Sequence, residues 1–295
     1  MHRRDVMLGY VLGVVGVAAF GITVPATRAA VQHLPADLVG TGRGLAAALC
    51  AAMLLFTLAE RWPTPEQRRR LWWVVAGVVI GFPWLTAIAL QELPAVHGAV
   101  VVGVLPLVTA IVAVLRAGER PSPAFWLAGI AGTVGVLVFV LRAGGAGFRF
   151  EDSLLIVAVV LCALAYAEGG RLAREMGGWQ VISWALVMGA PLLAIPTLMV
   201  LLRGPIEAPA EAWATFAFLV LGPQFLAFFA WYRAMALIGI ARASQIQLMQ
   251  IFVSLGIAAW WLGETLEPDI VFFALWVLAA VLVGQRARVK LQTVR

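Results

Sequence analysis

The sequence predicts an all-α integral membrane protein of ten transmembrane helices, arranged as two inverted five-helix repeats (1–147 and 148–295) with both termini cytoplasmic. Three observations carry this expectation. Of 295 residues, 63% are hydrophobic and 12% charged, about half the charged share of an average soluble chain. A soluble fold of this length could not hide so much apolar surface. The apolar residues fall in runs of about twenty, each long enough to cross roughly 30 Å of hydrocarbon. Finally, two stretches 145 residues apart share one pattern of helix end and restart.

Runs bounded by charge or by Pro/Gly clusters lie at about 6–27, 38–59, 71–91, 95–115, 123–141, 153–173, 179–202, 212–235, 241–262 and 269–286. The first follows a short basic start but is longer than a signal h-region and lacks a small-x-small cleavage site, so it reads as an uncleaved span. The second opens with Gly40-x-Gly42-x-Gly44, read as a close-packing surface for a neighbouring helix. Pro83–Trp84 breaks the third, and Pro94 separates it from the fourth. Gly129, Gly132 and Gly135 mark the fifth. Glu168 and Arg171 sit at the end of the sixth. Pro223–Gln224 lies mid-way along the eighth. The region of Gly239 separates the eighth span from the ninth, and the tenth is apolar around Trp276. Cys50 and Cys162 fall inside runs and read as buried small hydrophobes.

The net charge of +6 comes from twenty arginines and Lys290, nearly all in short loops. The loops on the side of the termini hold fifteen of these basic residues and the opposite loops four, with Arg43 and Arg233 inside spans. That imbalance sets the termini in the cytoplasm. It also accounts for the basicity without a nucleic-acid partner.

The internal repeat is independent of hydropathy. At a shift of 145, Gly118, Glu119 and Pro123 fall on Gly263, Glu264 and Pro268, each where one run ends and the next begins. At 146, Ala19–Phe20 and Arg28 fall on Ala165–Tyr166 and Arg174. Five spans per copy is odd, so the second copy enters the membrane the other way up.

On these residues the chain resembles the drug/metabolite transporter superfamily, EamA type. The likeness runs over the whole chain: five-plus-five spans, the repeated Gly-Glu-x-x-x-Pro junction, the aromatic-then-basic pair of each first span, and Arg43 opening an Arg-x-x-x-Ala stretch. One departure is Pro106 in the fourth span, replaced by Ile251 in the ninth, so the kinking there is expected to differ. The resemblance implies secondary export of small organic metabolites, amino acids above all, as in YddG-like exporters. Related readings are a sugar-nucleotide or phosphate-ester exchanger of the same superfamily, and a membrane enzyme or scaffold without transport.

Enzyme chemistry finds little support in the residues. No Gly-x-x-x-x-Gly-Lys occurs, and Lys290 lies in the tail. Asp5, Asp37, Asp152 and Asp269 sit in loops or at span ends, and His2, His33 and His97 offer no metal spacing. No cofactor, metal or catalytic group is therefore expected.

The polar groups inside spans point instead to a substrate cavity. In the ninth span Ser244, Gln247, Gln250 and Ser254 share one helical face, where the first copy has Ala99, Val102, Leu105 and Thr109. Polar side chains in hydrocarbon must face protein or a water-filled cavity. Gln224, Trp84, Tyr166 and Arg43 join them as expected substrate contacts, and Glu168 as the carboxylate for proton coupling. Glu119 and Glu264 are expected to hold backbone or arginine donors at the junctions. The expected partners are a small-molecule substrate and the lipid bilayer. The cavity is expected between the first, third, fourth, sixth, eighth and ninth spans, leaving the fifth and tenth to pack or to form a homodimer face.

Overall fold

The computed structural model describes residues 3–117, 120–143, 148–286 and 289–290. Among them all regular structure is helical apart from a two-residue antiparallel ladder joining Arg120–Pro121 to Val289–Lys290. In chain order the helices are α1 (Arg3–Val31), α2 (Leu38–Thr57), α3 (Pro65–Glu92), α4 (Ala95–Val102), α5 (Leu105–Ala117), α6 (Pro123–Ala143), α7 (Phe150–Met176), α8 (Gly178–Leu201), α9 (Ala210–Ile238), α10 (Ile240–Gln247), α11 (Met249–Leu262) and α12 (Pro268–Arg286). Among the described residues seven segments are long and apolar enough to cross a membrane, and Trp126–Val136, Met249–Leu262 and Pro268–Ala280 are shorter apolar helices. The protein is a multi-pass membrane protein. Its outer surface fits that solvent: Leu49, Met53, Phe56, Leu127 and Ile195 are each more than 60% exposed, which water would not tolerate as a continuous belt.

Several helices run a turn beyond the apolar run that announces them. The third starts at Pro65, six residues ahead of its run, because Thr64 caps it: its hydroxyl accepts from Gln67 N–H while the Gln67 side chain accepts from Thr64 N–H. Such signals lie in polar sequence outside the hydrocarbon.

The fourth and ninth spans are both interrupted, at Gly103–Val104 and at Leu248, 145 residues apart. Both halves break at the same place, and they differ, as expected from the loss of the proline, in the extent of the break. Pro106 has no N–H for the Val102 carbonyl, so α4 ends there. Ile251 restores that donor, and the interruption shrinks to one residue without closing.

Packing follows the small residues. A Cβ on Gly40 would lie 2.6 Å from Trp84 Cα, so α2 crosses α3 at a distance only glycine permits. The glycine stretch of α2 is therefore a packing surface. The glycines of α6 serve the same end: Gly135 receives the ring of Trp276 from α12, whose indole N–H donates to Ala131 O at 2.9 Å. The fifth and tenth spans thus pack on each other. α7 packs on α3, α5, α8 and α9, and α1 packs on α9 and α11, so α1 and α7 line the middle of the bundle.

Candidate functional site

The middle of the bundle holds a cavity of about 30 Å³. Seven helices line it: α1 (Phe20, Thr23), α2 (Arg43), α3 (Val78, Phe82, Pro83), α5 (Leu105), α7 (Cys162, Tyr166), α9 (Pro223, Gln224, Phe228) and α11 (Gln250). The second span contributes alongside the six expected. Room for about one or two waters remains, so the helices are closed over the site.

Local backbone geometry brings the polar groups here. α3 widens to a π-helix over Val75–Gly81, and α9 does so over Gly222–Leu226, around Pro223. A π-turn and an internal proline each leave carbonyls without their usual partner. Gln224 Nε2 donates to Val78 O at 3.0 Å across the cavity wall, supplying one of them.

Arg43 is the unusual group. It is 1% exposed, and Nη1 donates to Thr27 Oγ1 at 3.2 Å. Its Nε has no hydrogen-bond partner, and it forms no ion pair with any described residue. An arginine stays protonated in a protein, and one inside a membrane span costs roughly 2.5–3.5 kcal/mol. Around it the walls are aromatic. Phe20 lies with its ring centroid 4.9 Å from Phe228, 6.0 Å from Trp231 and 6.2 Å from Tyr166.

Residues 145 or 146 positions apart meet one another at this place. Phe20 meets Tyr166, Gln224 bonds Val78, and Leu105 faces the same cavity as Gln250. Ala131 and Trp276 do the same at the α6–α12 contact. Comparison with known proteins follows the same division. The model of the EamA-like transporter family matches twice, over residues 7–141 and 149–284.

The chain belongs to the EamA-like transporter family.

It lies within the drug/metabolite transporter superfamily. The chain is similar to a Bacillus subtilis protein named uncharacterized transporter YdeK, at 37% identity over 94% of this chain and 97% of that one. It is also similar to a probable terminal-alkyne amino-acid exporter of Streptantibioticus cattleyicolor, at 24% identity over 66% of each chain. A crystal structure superposes with a TM-score of 0.64 at 16% identity, covering 94% of this chain and 96% of the other. That likeness shows the fold.

Within this EamA fold the expected site residues divide. Arg43, Tyr166, Gln224 and Gln250 line the central cavity. Gln247 lies in a neighbouring void of about 10 Å³ with Ala99, Val102 and Gln250, its Nε2 3.5 Å from Gln250 Oε1 and its own Oε1 unpartnered. Ser254 also borders that void, but its hydroxyl donates to Gly21 O at 2.7 Å and ties α11 to α1. Ser244 donates to Ile240 O within its own helix. Trp84 does not line the cavity: its indole N–H donates to Asp37 Oδ1 at 2.7 Å. Glu168 is apart from the cavity as well, 3.1 Å from Arg70 Nε and 3.8 Å from Arg171 Nη1, with Arg70 also 2.7 Å from Glu175.

The junction glutamates act on backbone. Gly263 ends α11 in the left-handed region (φ 65°) and turns the chain so that Glu264 can reach across. Its two oxygens accept from Ala95 N at 2.8 Å and Val96 N at 2.7 Å, the free donors at the start of α4. Glu119 lies outside the described residues. Arg28 acts at the other polarity, donating to Leu90 O and Gln91 O at the end of α3.

Sequence reasoning missed a buried pair. His97 Nε2 lies 2.7 Å from Asp152 Oδ1, whose Oδ2 accepts from Arg149 N. The pair borders a wider recess of about 470 Å³, on the face opposite the start of α1, with Arg142, Arg149, Glu264, Glu267 and Asp269. Only the position of each at a span end was available beforehand, and span ends are ordinary places for charge.

Proposed function

We propose that the protein is a secondary transporter that exports small organic metabolites, amino acids with apolar or aromatic bodies and their analogues, by alternating access. Two inverted five-helix repeats, with both termini cytoplasmic, move against each other around the central cavity. The observation that carries this reading is the meeting of residues 145–146 positions apart around a cavity that also holds Arg43, Gln224 and Gln250. A site on the relation between two halves is reached from either side as they rock. The similarity to a probable terminal-alkyne amino-acid exporter supports an amino-acid-like cargo. A phosphate-ester cargo fits less well, because among the described residues the cavity lining offers one cation, Arg43.

The test is counterflow in liposomes holding the purified protein, with labelled amino acids and no ATP. Exchange at a rate above protein-free liposomes is expected. Failure of every solute in the panel, with the protein shown to be folded, overturns the reading. Cysteines introduced at Arg61 and Glu207, both exposed, in a background with Cys50 and Cys162 replaced by alanine, test the topology: they label from opposite sides, Arg61 from the cytoplasm. Proton coupling is placed at Glu168, so that Glu168→Gln removes acceleration by an imposed pH gradient and spares counterflow. A homodimer would use the lipid-facing side of α6 and α12, where Leu127, Ile130 and Phe272 are exposed.

A further inference from the structure

We infer that the cavity selects its cargo as a monoanion: it recognises a carboxylate through Arg43 and has no charged group for an ammonium. The inference rests on the transport reading above and deepens it. An apolar carboxylate that lacks the amine, or carries it acylated, is therefore as good a ligand as the zwitterionic amino acid, or better. An amine without a carboxylate is excluded.

The charge inventory carries this. Arg43 is buried, keeps its proton, and has one neutral hydroxyl as its hydrogen-bond partner. Buried charges in proteins are paired, and this one lacks its counterion among the described residues. Among the described residues no aspartate or glutamate lines the cavity. The two carboxylates buried among the described residues are engaged elsewhere, Asp152 with His97 and Arg149 N and Glu168 with Arg70 and Arg171, and so are Asp37 with Trp84 and Glu264 with the first amides of α4. The remaining polar lining is neutral: Thr23, Tyr166, Gln224 and Gln250. Gln224 has committed one of its two amide hydrogens to Val78 O.

A monoanion completes the missing ion pair and leaves the closed cavity neutral. A zwitterion supplies the carboxylate but leaves one unit of positive charge in the enclosed site, held by neutral oxygens. A lone ammonium adds a second cation; at about 5 Å in a protein-like dielectric the repulsion weakens binding on the order of 100-fold. The aromatic walls formed by Phe20, Phe82, Tyr166 and Phe228 accept the same apolar body in each case.

The experiment titrates the purified full-length protein with compounds that share one phenyl body and differ in charge: 3-phenylpropionate, N-acetyl-L-phenylalanine, L-phenylalanine and 2-phenylethylamine. Tryptophan fluorescence or thermal shift reads binding, and counterflow of each bound compound is then measured. The two monoanions are expected to bind at least as tightly as phenylalanine, and 2-phenylethylamine at least about 100-fold more weakly. Arg43→Gln should abolish the difference between 3-phenylpropionate and the amine, and Arg43→Lys should retain its sign. Phenylalanine binding tenfold or more above both monoanions would overturn the inference, because the amine would then be recognised. So would binding of 2-phenylethylamine equal to that of the acids, or counterflow by other solutes with no binding of any acid here. The series on the parent protein decides even where Arg43→Gln fails to fold. Binding in the expected order without counterflow of any bound compound would sink the transport reading while leaving the charge selection intact.

Discussion

The two halves of the protein, each matched by the same family model, bring different chemistry to the cavity. At each meeting place the first half is apolar and the second polar: Phe20 against Tyr166, Val78 against Gln224, Leu105 against Gln250. The exception runs the other way. Arg43 comes from the first half, and the positions 145 and 146 residues later hold Met188 and Gly189. A strictly two-fold site would present the same groups from both directions and give a cargo no preferred orientation. The division here puts a cation at one side and neutral hydrogen-bonding groups at the other. Under the proposed transport reading, that division would define which end of a ligand goes where.

The largest effect expected on breaking this asymmetry comes from Arg43→Leu. Counterflow should fall at least about 100-fold, since the cargo's carboxylate loses its counter-charge in a low-dielectric site. The variant's unfolding temperature should not fall, because removing an unpaired buried cation relieves its desolvation. Loss of both transport and stability would mean that Arg43 braces α2. Next is Gln250→Leu, which makes the fourth and ninth spans alike at the cavity: transport should drop about tenfold. Stability measured in detergent should change by no more than about 1 kcal/mol, since intramembrane polar contacts average ~0.6. Leu105→Gln, the converse change, sharpens the comparison, and counterflow within about threefold of the parent is expected because the cavity's charge is untouched. The smallest effect should come from Trp84→Phe. It removes the hydrogen bond to Asp37, worth about 1.5–3 kcal/mol of stability to a charged acceptor, with transport by the folded fraction unchanged. A tenfold loss of transport there would return Trp84 to the site.

How much of this was legible in the sequence differs between fold and site. The positions of the apolar runs follow from composition, and the family follows from the repeated Gly-Glu junction with its flanking residues. Helix ends were less legible, because caps such as Thr64 with Gln67 act in polar sequence where hydropathy is silent. Within the site, the cost of polar groups in hydrocarbon flagged Arg43, Gln224 and Gln250, which line the cavity, and equally Ser244 and Ser254. The serines satisfy themselves on backbone carbonyls, Ile240 O and Gly21 O. A short hydroxyl can do that within or between helices, whereas a buried guanidinium or carboxamide has donors left over. Helical-face geometry cannot separate these cases, because it does not say which neighbour a face meets. The pairs Trp84–Asp37 and His97–Asp152 span 47 and 55 residues, and nothing local announces either.

The closed cavity also has a consequence for how affinity will be measured. A space of about 30 Å³ admits water and no metabolite, so ligand and this closed conformation exclude each other. Any dissociation constant then contains the closing equilibrium: the intrinsic constant is divided by the fraction of molecules that are open. Substitutions far from the ligand that loosen closure will raise apparent affinity without adding a contact. Those that tighten it will lower apparent affinity in the same way. A variant should be assigned to recognition only when its effect depends on the ligand's charge or shape, since a shift in closure moves every ligand by the same factor.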